Sequence, residues 1–335
     1  MKALVCHAFG PWESLRLEQI AVPGPLGPQD IRIAVEYASV SFAAGLLVAG
    51  KYQRHPPLPF VPGTECIGRV IQVGSAVERI RPGMRVAATL DWGAYAEQVV
   101  VADYTVYPMP ESIDPKAAMH LPLSYGTAYG ALVWCARLTA DDTLLVTGAA
   151  GGVGVAAVQI GHALGARVIA VASTEDKRAF ALAQGADFAL PTEGFRDQVK
   201  ALTSGRGADV VFDPVGGPVF DACLRATAQF GRMVIIGFAQ GAIQQVPANL
   251  LLVKNIALHG FYFGAHAGWG ISDERAARAP RVQAMMQTLF EWTASGRLKP
   301  QVSHCYPLAQ YREAMVAVDS RQSRGKVVLE VSPVR

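Results

Sequence analysis

The residues best placed to do chemistry begin with Gly151, Gly152, Val153 and Gly154. Glycines this close together let a backbone approach a bulky anion. If a helix follows, its first N–H groups and its dipole favour a phosphate there. Read in register, Ala149-Ala150-Gly151-Gly152-Val153-Gly154 matches the second and third glycines of the G-x-G-x-x-G dinucleotide fingerprint, with Ala149 in place of the first. A tight turn without a ligand would use the same residues, and the flanking segments favour binding. Further on, at the end of the next apolar run, an NAD enzyme carries Asp or Glu for the ribose hydroxyls. Here Ala172 and Ser173 stand there, followed by Lys177 and Arg178. A hydroxyl and two cations suit a 2′-phosphate, hence NADPH. The same cations would also balance Glu175 and Asp176 as near neighbours on an exposed helix.

Tyr52 lies between Lys51 and Arg54 in a loop stiffened by prolines. A phenol can donate to a carbonyl oxygen or protonate a developing enolate. It can equally be a half-buried loop aromatic. No Ser/His/Asp set, paired-carboxylate site or Cys pair competes with it. The pattern therefore suits hydride transfer, in which a cofactor carries the chemistry and the protein positions it.

These groups need elements to hold them. Leu144, Leu145 and Val146 form an apolar run before the glycines, and Val155, Val158, Gln159 and Leu164 continue after them at helical spacing up to Gly165. Strands are expected over Leu144–Thr147, Val168–Ser173, Phe188–Leu190, Val210–Pro214, Met233–Gly237 and Ile256–Phe263, with helices between. Such alternation makes a doubly wound parallel sheet, so the fold class is α/β. Residues 1–122 read mostly as strands, with Asp30 to Glu36 strictly alternating and a short helix from Ser41 to Gly50. Lys116 to Leu138, interrupted by Pro122 and Gly126, reads as a bent or broken helical connection. Val282, Met285, Met286, Leu289, Phe290 and Thr293 mark one helical face, and Leu308, Tyr311, Met315 and Val318 another. Lys326 to Val331 reads as a closing strand. The expected divisions are 1–122, 123–264 and a C-terminal segment 265–335 returning to the first.

The 335 residues, 51% hydrophobic and 17% charged, can bury a large core. A net charge of +3 without a dense Lys/Arg run gives no sign of a nucleic-acid surface. Five scattered cysteines suit buried thiols in a reducing compartment. No signal peptide and no stretch of membrane-spanning length is visible, so the protein is expected to be cytoplasmic.

Asp141-Asp142-Thr143-Leu144 through Gln159 resembles the signature of the zinc-free quinone oxidoreductases and zeta-crystallin, a branch of the medium-chain dehydrogenase/reductase superfamily. Lys51-Tyr52 to Phe60-Val61-Pro62-Gly63, Leu123 to Tyr129 and Asp213-Pro214-Val215-Gly216-Gly217 agree in order and spacing. The resemblance implies a GroES-like, mainly-β substrate domain built from both chain ends. A Rossmann domain would be inserted between them, with an active site in the cleft. It also implies that Thr127, Val215, Gly237, Phe238, Tyr262 and Phe263 lie along the cofactor and that Lys326 closes over it. For the aromatics ordinary packing is an equal alternative, and for the Arg324-Gly325-Lys326 stretch a solvated turn is.

Zinc relatives carry Gly-His-Glu where Gly63-Thr64-Glu65 stands, and their Cys ligand and cysteine lobe have no counterpart here, so no metal is expected. The quinone oxidoreductases commonly have Asn at Ser41 and Tyr at Thr192. The first departure removes one polar contact expected near the nicotinamide and the second a partner of the adenosine phosphate; as hydrogen-bond donor to the substrate, Tyr52 is the first candidate and Ser41 the second. The expected function is NADPH-dependent hydride transfer to a quinone or another α,β-unsaturated carbonyl compound, independent of zinc. An enoyl-thioester reductase of the acrylyl-CoA type and a non-catalytic, crystallin-like NADPH binder are the alternatives. The apolar run Ile256–Phe263, left as an open edge, predicts a homodimer.

Overall fold

Between Thr143 and Gly260, short runs of Val, Ile and Leu, long enough for strands and too short for helices, alternate with helical segments. The computed structural model describes residues 1–320 and 323–332 and divides into two compact units. One comprises Ser124–Phe263 and Arg297–Lys299; the other comprises Met1–Leu123, Gly264–Gly296 and Pro300–Arg335.

The first of these contains, among the described residues, a six-stranded sheet. Its spatial order is Phe188–Leu190, Arg167–Val171, Thr143–Val146, Ala208–Asp213, Thr227–Ile235 and Ala257–Gly260. Every pairing is parallel. The strand earliest in sequence lies third, beside Ala208–Asp213, and the winding reverses between these two. In doubly wound sheets, ligands bind at the carboxyl ends of the strands at such a point. Leu145, Ile169, Val211 and Met233 fill one core with Phe220 and Leu224. The last strand is shorter than the expected Ile256–Phe263. Its pairing runs out at Gly260 because its neighbour ends there, at Ile235. The connection before the sheet is broken as Pro122 requires. A helical turn at Pro115–Ala118 gives way to wide π-type turns at Leu121–Tyr125 and Gly130–Cys135, with one α-turn at Gly126–Tyr129 between them.

The other unit is built on Asp30–Val40. The first half of this strand pairs antiparallel with Gln98–Ala102 and its second half with Lys326–Glu330, while Glu65–Val73 runs along its other side. Val302–Pro307, Arg85–Thr89 and Val106–Pro108 complete seven strands among the described residues. Ile31, Ile33, Val35, Tyr95, Leu329 and Tyr311 meet in the core. The helix Arg275–Ala294 buries the expected Val282, Met285, Met286, Leu289 and Phe290. It begins earlier than that face suggests, with Ala279 buried and Pro280 inside it. Ser41 caps Phe42–Val48, its hydroxyl oxygen accepting from the Ala44 N–H at 3.3 Å. No helix among the described residues is long and apolar enough to cross a membrane.

Candidate functional site

In the parallel-sheet unit the glycine turn leaves the carboxyl end of Thr143–Val146 and enters the helix Gly152–Ala163. Gly151 stands at the N-cap of this helix with no side-chain cap, and the first turn holds no acidic residue, a pattern that favours an anion there. Gly154 is required: a Cβ there would stand 2.1 Å from the Gly148 carbonyl oxygen. Gly151 is exposed, Gly152 and Val153 are half-buried and Gly154 is buried.

The neighbouring strand end is tied to this turn. The Thr147 hydroxyl donates to Asp213 Oδ1 at 2.5 Å, and the same carboxylate accepts from the Val215 N–H at 3.0 Å and the Gly216 N–H at 3.3 Å. Burial pushes the Asp213 carboxyl above its ordinary range, although each of these bonds pulls the other way. A Cβ on Gly148 would lie 3.1 Å from the Val215 side chain, so Val215 borders the glycine turn. Gly237 and Phe238 follow the next strand, with Gly237 half-buried and Phe238 41% exposed. Thr127 is half-buried in its single helical turn. Tyr262 is 38% exposed and Phe263 4%.

Ser173 lies exposed just past the strand Arg167–Val171. Thr174 caps the helix Glu175–Ala183 by accepting from the Lys177 N–H at 3.3 Å. Arg178 reaches back to donate to the Ala172 carbonyl at 3.3 Å and pairs with Glu175 at 2.5 Å. Arg178 thus balances an acid on its own helix, and its guanidinium stands beside the strand end at Ala172. Thr192 lines a separate open hollow of about 330 Å³ with Arg196 and Asp197.

The antiparallel unit holds a small pocket of about 50 Å³ that brings together Ser41, Tyr52, Thr64, Asp91 and Trp269. Ser41 keeps its hydroxyl proton to donate, because the oxygen is the acceptor in the cap. Asp91 pairs with Arg54 and accepts from Arg275 Nη2 at 3.0 and 3.1 Å. Arg54 also lies over the Trp92 ring, 5.4 Å from its centre. Asp91, Arg275 and Trp269 carried no mark in the sequence. They are distant along the chain and belong to no motif.

Lys326 is a correction. It is 5% exposed in the strand Lys326–Glu330, neither a solvated turn nor a flexible lid. Its ammonium donates to Glu65 Oε1 at 2.6 Å, and Glu65, fully buried, also accepts from the Ser39 hydroxyl and from the Leu123 N–H at 3.0 Å. A buried carboxylate draws in the cation that neutralises it. Glu65 thus stands at the metal position of the zinc enzymes with its charge already matched. Thr64 offers no imidazole beside it, so this donor set does not fit zinc. Among the described residues no three His, Cys, Asp or Glu side chains gather as a metal site requires. All five cysteines are free, and burial raises the thiols of Cys6, Cys66 and Cys223, Cys66 to about 12.

Comparison with known proteins matches residues 27–111 to the alcohol dehydrogenase GroES-like domain and residues 152–278 to the zinc-binding dehydrogenase domain. Quinone oxidoreductase-like protein 2 of Mus musculus is 36% identical over 324 residues, 95% of this chain and 89% of that protein. Quinone oxidoreductase of Homo sapiens is 30% identical over 335 residues, 98% of this chain and 97% of that protein. The crystal structure of Escherichia coli quinone oxidoreductase complexed with NADPH superposes with a TM-score of 0.88 at 27% identity, covering 98% of this chain and all of that one.

Proposed function

The chain belongs to the quinone oxidoreductase branch of the medium-chain dehydrogenase/reductase family and is an oxidoreductase of NAD(P)-dependent type, and on that premise we propose that it is an NADPH-dependent, zinc-independent reductase of quinones and other α,β-unsaturated carbonyl compounds. The observation that carries this reading is the Glu65–Lys326 pair. With that carboxylate neutralised and Thr64 beside it, the carbonyl must be polarised by hydrogen-bond donors. Donors suffice where conjugation spreads incoming negative charge onto an oxygen, as in a quinone or enone. They serve a simple ketone or alcohol poorly.

The residues fit a dinucleotide: glycine at 154 lets the helix start pack against the Gly148 carbonyl, which a Cβ would strike, and the first turn of that helix holds no acidic side chain. Gly151 to Gly154 would hold the pyrophosphate, and Ser173, Lys177 and Arg178 the 2′-phosphate. Val215, Gly237, Phe238 and Tyr262 would line the cofactor, with Thr127 on its amide or phosphates. When bound, the nicotinamide supplies the hydride. Tyr52 and Ser41 would donate to the substrate oxygen as charge builds on it, and Tyr52 or water would then give the proton.

The same reading makes the protein a cytoplasmic homodimer. Its isolated thiols suit a reducing compartment. Its open edge strand Ala257–Gly260 follows a helix, Ala248–Lys254, with no buried residue.

The deciding experiment follows NADPH oxidation with a panel of quinones, enones, acyl-CoA thioesters and simple ketones. Turnover of quinones and enones, unaffected by chelators, is expected. Turnover confined to acyl-CoA thioesters, or absent throughout, would overturn the reading.

A further inference from the structure

Trp269 is 8% exposed. It lines the pocket of Tyr52, Ser41 and Thr64, and its indole nitrogen is enclosed yet meets no acceptor. An indole N–H is a donor only, and an unpaired donor inside a protein is destabilising. The surrounding structure nonetheless fixes it there. The Trp269 backbone N–H closes a turn onto the Gly264 carbonyl at 2.7 Å. At the preceding Gly268 a Cβ would stand 2.0 Å from Arg275 Nε, so the guanidinium lies directly against the turn. Arg275 donates to both oxygens of Asp91 and, through Nε, to Asp273 at 2.8 Å. Asp91 lines the same pocket and holds Arg54 on its other side. A chain of charged contacts therefore pins the turn that carries the indole.

We propose that the Trp269 N–H is held for an acceptor oxygen of the bound substrate, so that it binds and orients the carbonyl end of a conjugated ring. An indole N–H does not ionise in the working range, so Trp269 is a positioning donor and the proton must come from elsewhere. The identity of the ligand as a carbonyl compound rests on the function proposed above; the unmet donor does not.

The test uses two unreactive probes of matched shape, 1-tetralone, which has an acceptor oxygen, and tetralin, which has none. Calorimetry on the full-length protein should show 1-tetralone binding more tightly by about two- to tenfold, the range of one neutral hydrogen bond. Trp269→Phe should abolish this preference and leave tetralin binding in place. In nitrogen-15 spectra, one of the five indole resonances should move with 1-tetralone and stay with tetralin. If Trp269→Phe fails to fold, that resonance, assigned through the other four tryptophans, decides alone. A preference that survives in Trp269→Phe, an unmoved Trp269 resonance, or no binding of 1-tetralone to the parent overturns the proposal. A Trp269-dependent preference in a protein that reduces no quinone would keep this inference and reject the reaction. Rapid quinone turnover with the preference intact in Trp269→Phe would do the reverse.

Discussion

At the scale of single residues, Tyr52 is expected to act only as charge develops on the substrate oxygen. Tyr52→Phe should then lower kcat by about ten- to a thousandfold with little change in KM. Parent-like turnover with unchanged NADPH affinity would make Tyr52 a loop aromatic, with solvent supplying the proton. Lys177→Ala should raise the dissociation constant for NADPH far more than that for NADH, since only NADPH carries the 2′-phosphate; an equal rise for both would remove Lys177 from that site. Asp213 offers a pH test. Burial raises its carboxyl pKa in the folded state. The contribution of such a group to stability is full below the ordinary carboxylate range and is lost as pH rises through the raised value. Asp213→Asn retains an acceptor for the Thr147 hydroxyl and the Val215 and Gly216 N–H groups and has no charge to bury. Its Tm relative to the parent should therefore improve from acid to neutral pH. A difference that does not change with pH would show that the buried charge is irrelevant.

At the scale of elements, Lys326 and Glu65 join strands from opposite ends of the chain. Lys326→Met leaves a buried carboxylate unmatched and should cost about 3–5 kcal/mol in urea unfolding. Adding Glu65→Gln should recover much of that. Equal stability of the single variant and the parent would show the pair to be dispensable. Features set by local sequence were legible without the structure. The glycine turn, the six-strand alternation, the Ser41 cap and the face from Val282 to Phe290 each follow from neighbours a few residues apart. The partner of Lys326 lies far along the chain, so which cation meets Glu65 is not legible from the neighbourhood of either residue. The length of the last strand depended on where its neighbour stopped. The Asp91–Arg275–Trp269 set arises only when a loop and the start of a helix meet.

For the whole molecule, the parallel sheet ends at Ala257–Gly260, and the helix before it exposes Leu252 and Val253 at 78% and 71%. An open edge beside an apolar helix invites a second copy, and a two-fold axis would cover both edges at once. Light scattering at micromolar concentration should give twice the chain mass, and Leu252→Glu should shift it toward the monomer. A monomeric parent would refute the pairing.

The strand Asp30–Val40 takes Lys326–Glu330 as its neighbour, and this sets an order of events during synthesis. All six strands of the parallel sheet emerge well before residue 326, so that unit can close while the chain is still growing. The unit begun first must wait. At about 5–20 residues per second, roughly fifteen seconds to a minute separates the two partners. Through that interval the stretch from Tyr37 to Val40 on the early strand has an unpaired flank on a nascent chain. The sheet that holds Asp30–Val40 can therefore be completed only once Lys326–Glu330 has been made, after every strand of the parallel sheet.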